Sequence, residues 1–280
     1  MNFQKFDHIQ SKHPVLAFPI AVIKKYGDDQ AGNQAALLTY YGFLALFPLL
    51  LVATTILQIL AFNNLHLQTD VVNALTGNSP TLGNQLTTHI QSLHRNGLAL
   101  LVGLLFLLYG ARGVASVFRN GSNHVWGITR SHMLGFPNSI IKDITTIVFG
   151  GLGLFIAAGI TGTVATYGNS PFWWLLSYIA DAIVLYLVFN VLFNLVLVGK
   201  IATKEIHLAS LFTAIGLVTM QILGAYILGR VLKNLDALYS TFAVSLGLLF
   251  WIYLQSQIVY YSMEIALVKS RKLWPIKIIK

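Results

Sequence analysis

The chain reads as long apolar runs separated by short polar connections. A helix needs about 20 apolar residues to cross the hydrocarbon layer of a membrane. Six runs meet that length: 35–62, 97–118, 144–167, 172–198, 206–228 and 242–268. None alternates with a period of two, and backbone groups cannot stay unpaired in lipid, so helices are favoured over a barrel. Two shorter stretches carry their own signals. Residues 15–23 are apolar, hold Pro19 and end in Lys24 and Lys25. They predict an interfacial elbow that leads to Asp28 and Asp29, a pair placed to cap the next helix. Residues 80–93 set Leu82, Leu86, Ile90 and Leu93 on one stripe with Gln85, Thr88, His89 and Gln91 around it. That pattern predicts an amphipathic helix lying on the outer leaflet between spans one and two. The fold expected is an all-α integral membrane protein with six transmembrane helices, one polytopic domain over 1–280.

Composition agrees with this pattern and removes the soluble alternatives. Hydrophobic residues make up 56% of the 280 residues and charged ones 10%, where soluble domains carry roughly 25% charged. Mean hydropathy is +0.70. A soluble domain has too little interior to hide so much apolar surface. There is no Cys, which excludes disulfides, thiolate metal sites and thiol catalysis.

A net charge of +9 would suggest nucleic acid in a soluble chain. Its distribution gives a different cause. One set of connections and termini holds fourteen Lys and Arg: Lys5, Lys12, Lys24, Lys25, Arg119, Arg130, Lys142, Lys200, Lys204, Lys269, Arg271, Lys272, Lys277 and Lys280. The opposite set holds three, Arg95, Arg230 and Lys233. Positive charge collects on the cytoplasmic side, so both termini are expected there, with no nucleic-acid partner. The opening residues have no apolar core of the signal-peptide type, so the first span is expected to act as its own insertion signal.

Three motifs then bring a resemblance. The first span reads Ala35-Ala36-Leu37-Leu38-Thr39-Tyr40-Tyr41, continuing to Leu46-Phe47-Pro48-Leu49-Leu50. Asn123 and Trp126 follow the second span, and the sixth contains Leu248-Leu249-Phe250-Trp251-Ile252-Tyr253-Leu254 and then Glu264. In combination these resemble the YihY/BrkB family of bacterial inner-membrane proteins over nearly the whole chain. The resemblance implies the same six-span plan in the bacterial cytoplasmic membrane. Ala45 and Tyr239-Ser240-Thr241 depart from the family's usual Ser and Tyr-Gly-Ser. The family once carried the label ribonuclease BN. Zinc-dependent RNA hydrolysis needs clustered ligands around a metal-activated water. The eight histidines form no HxH or HExxH arrangement, and the topology divides them between the two membrane faces. No metal, cofactor or enzymatic activity is expected.

The remaining chemistry lies in polar residues within or beside the spans. Arg112, Ser116, Arg119, Asn123 and Trp126 are spaced four, three, four and three, which places them on one stripe. A basic track of this kind suits an anionic headgroup, because the Arg fork matches phosphate; snorkelling to the interface is the plainer reading of Arg112. Asp181 lies near the middle of the fourth span, where a carboxylate either keeps its proton or finds a partner. Tyr186, Asn190 and Asn194 share another face of that span, a spacing that commonly joins helices. Tyr40 and Tyr41 precede Pro48, where a kink in the helix frees a carbonyl. Glu264 is expected to pair at the surface with Lys269 or Arg271. The glycine series at 150, 151, 153, 159 and 162 predicts close helix approach. The function expected is binding or translocation of an anionic amphipathic molecule, a lipid or envelope precursor, with membrane lipids as partners. An ion-coupled transporter built on Asp181 and a non-transporting scaffold are the alternatives. No Walker motif is present, so ATP would act only through a partner.

Overall fold

The computed structural model describes residues 14–61, 97–129, 135–167, 171–199, 201–231 and 237–274. Among them the chain is all helix outside short turns. Seven helices follow in order: α1 Pro14–Asp28, α2 Ala31–Ala61, α3 Gly97–Val125, α4 Asn138–Tyr167, α5 Pro171–Val196, α6 Thr203–Val231 and α7 Ala237–Arg271. Four stretches among the described residues are long and apolar enough to cross a membrane: Leu101–Val125, Asn138–Ala157, Leu175–Val196 and Thr203–Gly224. The amphipathic stretch expected at 80–93 lies outside the described residues.

Consecutive helices from α2 to α7 pack side by side, and α7 returns to α2, closing a ring. α1 lies against the last turns of α7, where Ala21, Val22 and Val268 are buried together and Phe18 meets Trp274 edge-on at 5.3 Å. Among the described residues the contact of α3 with α4 is the loosest joint between sequence neighbours in the ring. Between α2 and α3, the Cβ that Gly110 lacks would come within 3.0 Å of Ala45, and the one that Gly113 lacks would fall on the Tyr41 ring. Gly153 meets Val188 across α4 and α5, and Gly224 meets Trp251 across α6 and α7. Lipid tails are as apolar as Leu, so helices gain from such close backbone approach rather than from escaping the solvent. Of the glycine series in α4, Gly150 also lies against α5, through Leu192, while Gly151 and Gly159 face open space.

The polarity is that of a membrane protein. Large apolar side chains such as Leu105, Leu152, Phe155, Ile183 and Ile215 are exposed, while Thr39, Asp181, Ser210, Thr213 and Ser256 are buried. Thr39 Oγ1 donates to the carbonyl of Ala35 at 2.7 Å, the local bond by which a hydroxyl satisfies itself inside a helix. The caps differ from expectation at one point. Asp28 and Asp29 turn back to Lys24 and Lys25 one helical turn earlier. Gln30, with φ of 49°, makes the corner instead, and its carbonyl accepts from Asn33 at the start of α2.

Candidate functional site

Seven helix ends meet at one end of the ring: the close of α1, α3, α5 and α7 and the start of α2, α4 and α6. Each helix end leaves unpaired N–H or C=O groups, and here side chains from other helices reach them. Lys142 donates to the carbonyl of Leu195 at 2.6 Å. Asn123 Nδ2 donates to the carbonyls of Arg119 at 2.7 Å and Val196 at 2.8 Å, and its Oδ1 accepts from the Val198 N–H at 2.9 Å. One amide therefore fastens the end of α5 to α3. Gly199, with φ of 98°, then lets the chain leave α5 in the left-handed conformation that favours glycine.

Three ion pairs between helices hold the same end. Arg119 meets Asp143 of α4 through Nε to Oδ1 at 2.8 Å, and both residues are buried. Glu205 at the start of α6 takes both prongs of Arg271 at 2.9 and 3.0 Å and also accepts from Trp126 Nε1 at 3.0 Å. The Glu205 carboxylate holds the Arg271 guanidinium above its ordinary pKa. Lys25 lies between two carboxylates: it pairs with Asp29, and its Nζ is 2.9 Å from Glu264 Oε2. It also donates to the carbonyl of Val125, the last residue of α3, at 3.1 Å. Tyr26 beside it stacks on Tyr261 at 3.9 Å and donates to Gln257. Burial pushes the Tyr26 phenol well above its usual range.

These contacts correct two sequence expectations. Glu264 is not at the surface and does not pair with Lys269 or Arg271; it is fully buried and its cation is Lys25 of α1. The stripe from Arg112 to Trp126 also divides. Arg119, Asn123 and Trp126 turn inward to partners on α4, α5 and α6 and are not free for a headgroup. Arg112 is exposed, with no ion-pair partner among the described residues, and Ser116 is half-buried one turn below it. The exposed continuation is Asn120 and His124, not Arg119 and Asn123. Asn120 Nδ2 donates to Ser116 Oγ at 3.4 Å, and its Oδ1 accepts from Arg119 at 3.0 Å, which sets the lower end of this line beside the α3–α4 joint. Above Arg112 the same helix exposes Leu108, Tyr109 and Leu105.

The other polar candidates do not converge on one point. Asp181 is 1% exposed, and among the described residues neither carboxylate oxygen has a hydrogen-bond partner; Gln221 of α6 is its polar neighbour. Tyr40 faces outward, and Tyr41 packs over Gly113. Tyr186 and Asn190 instead reach His207 of α6, at 2.7 and 2.8 Å from Nδ1, and Asn194 donates to the Asn190 carbonyl at 2.7 Å. Asp143, Glu205 and His207 were not singled out in the sequence. A charge at a helix start, opposite a basic residue at another helix end, is the signal that marks the first two.

Among the described residues no three His, Asp or Glu side chains gather as a metal site requires. The chain is similar to the inner membrane protein YhjD of Escherichia coli, 23% identical over 86% of this chain and 77% of the relative. It is also similar to the ribonuclease-like protein YfkH of Bacillus subtilis, 22% identical over 93% of this chain and 98% of that protein. No solved structure matches it. The family described as Virulence factor BrkB matches residues 22–274, so the chain belongs to the BrkB family and is a membrane protein.

Proposed function

We propose that this protein binds an anionic amphipathic molecule, a lipid or an envelope precursor, and moves it between the leaflets of the bacterial cytoplasmic membrane. The observation that carries this reading is Arg112. It stands exposed on α3 among exposed apolar side chains, with no ion-pair partner among the described residues. A cation on a lipid-facing surface is costly and calls for an anion. Ser116 and Asn120 continue a polar line from it toward the charged end, beside the loosest joint of the ring. A phosphate travelling along this line would exchange one donor for the next while its chains stay in lipid.

In this reading the helices α2 to α7 are six spans, α1 is an interfacial elbow, and the charged end faces the cytoplasm with both termini. The fourteen-to-three division of Lys and Arg supports that orientation. The test is Arg112→Gln in the full-length protein. Retention of phosphatidylglycerol in native mass spectrometry should fall about tenfold, as one charge-assisted contact is lost. Entry of a labelled anionic lipid into the opposite leaflet of proteoliposomes should slow in parallel. Unchanged retention and unchanged movement would defeat the proposal.

Asp181 supports a second reading, ion-coupled transport. It is buried, with both oxygens unbonded among the described residues, and such a group can exchange a proton or cation during a cycle.

A further inference from the structure

We propose that the seam between α5 and α6 carries a second, independent site for the phosphate of an anionic lipid, with His207 and Lys204 as its donors. The site is built from two helices. Tyr186 and Asn190 of α5 both approach His207 Nδ1, and Asn194 is bonded back onto Asn190 through its carbonyl and its Oδ1. The Tyr186 and His207 rings lie nearly parallel, 22° apart with centroids at 6.2 Å. With Asn190 Nδ2 as the donor of this pair, Nδ1 is its acceptor and Nε2 is the ring nitrogen left to donate. The ring is thus held in one orientation with its remaining nitrogen a donor. Lys204 is three residues earlier on the same helix face, exposed, and among the described residues takes no part in any ion pair.

What lies above the site identifies the ligand as a lipid. Along α6 the line Lys204, His207, Leu211, Ile215 passes from polar to apolar, and Leu211 and Ile215 are exposed. Along α5 the line Asn194, Asn190, Leu187, Ile183 does the same, and Leu187 and Ile183 are exposed. His207 is one turn inside the start of α6, about 6 Å along the axis, and Ile215 about 18 Å. Two parallel lines, polar at one end and apolar beyond it, fit a phosphodiester headgroup with an acyl chain lying along the seam. A pure interhelical staple explains Tyr186, Asn190 and the Nδ1 contacts, but it gives no role to Nε2 of this exposed ring or to Lys204. The site does not rest on Arg112.

The experiment follows the His207 ring signal by nitrogen NMR in full-length protein in neutral-lipid nanodiscs, with His207→Gln used only to assign it. Phosphatidylglycerol should shift the signal, and Lys204→Gln, which leaves every bond of the staple in place, should weaken that titration about tenfold. The shift should persist in Arg112→Gln; its loss there would merge the two sites and overturn this one. No shift with phosphatidylglycerol, or no effect of Lys204→Gln, would also overturn it. An equal shift with phosphatidylcholine would overturn the assignment to an anionic lipid. An equal shift with inorganic phosphate at the same concentration would show a free phosphate site and overturn the lipid assignment.

Discussion

Replacing Lys25 with Met tests whether the buried charge at the α1–α3–α7 junction is held as the geometry indicates. Glu264 is fully buried and lies 2.9 Å from the Lys25 amine, which also pairs with Asp29 and caps the carbonyl of Val125 at 3.1 Å. Lys25→Met removes one cation and leaves two carboxylates facing each other, with the last carbonyl of α3 unpaired. Breaking a buried pair by deleting one partner costs about 3–5 kcal/mol, because the surviving charge is uncompensated. The orphaned carbonyl adds about 1 kcal/mol. Glu264→Gln is the informative control. It keeps the shape and removes one of the two negative charges, while Lys25 retains Asp29 and Val125, so about 1–2 kcal/mol is expected. For a chain of this size each kcal/mol moves the midpoint by roughly 2–4 °C, so Lys25→Met should lower it by about 8–24 °C and Glu264→Gln by about 2–8 °C. Thermal loss of helix in detergent, read by circular dichroism, measures both. The double variant should be more stable than the sum of the two losses implies, because the second change removes the charge that the first stranded. If Lys25→Met is no worse than Glu264→Gln, the carboxylate is not relying on that amine and the reasoning fails.

Gly224→Ala should place a methyl group on the Trp251 ring and lower stability by about 1–3 kcal/mol. Gly159→Ala, which meets nothing within 4 Å, should be neutral or slightly stabilising in the same melt. Asp181→Asn should fold and reach the membrane normally, since Asn can still donate and accept beside Gln221. If lipid movement survives in that variant across pH, helix bridging is its role, and loss of movement with normal yield would promote ion coupling instead. Reporter fusions after Lys280 and within 130–134 should read as cytoplasmic, and one within 63–96 as external; a periplasmic signal at Lys280 would overturn the orientation.

Helix formation was legible because a membrane helix declares itself through a long apolar run, and all six runs fall on helices of the fold. The short segment at 15–23 was legible as a separate element, though it extends to Asp28 and its aspartates serve their own helix. What one helix cannot announce is the neighbour that each of its faces meets. The stripe through Arg112 and Arg119 is real as a spacing. Yet at 100° per residue Arg112 lies within about 20° of both Arg119 and Asn123, so what separates them is height: Arg119 is about 10 Å further along the axis, where Asp143, Val196 and Glu205 of other helices meet this face. The residue that draws Arg119 inward is Asp143, on another helix. Glu264 was misplaced for the same reason: basic residues five and seven positions away suggested a partner, while the actual one, Lys25, lies on α1. Long-range pairs of this kind are created by the ring.

The two kinds of polar residue can now be separated by what the fold requires of them. Lipid supplies no hydrophobic force between spans, so this bundle relies on glycine contacts in its midsection and on ion pairs and caps at one end. Arg119, Asn123, Trp126, Asp143, Glu205, Lys25 and Glu264 are all consumed there, each with a partner on another helix. Subtracting them leaves few polar groups that the packing does not call for. Arg112 and its line to Asn120 stand on the outer side of α3, and His207 with Lys204 stands on the outer side of the α5–α6 seam. Among the described residues the Arg112 guanidinium and the Lys204 amine have no ion-pair partner, and the contacts that hold the His207 ring use Nδ1 alone. In the reading proposed above an anion in the membrane supplies that partner, and the reading therefore rests on groups that the helix packing leaves unused.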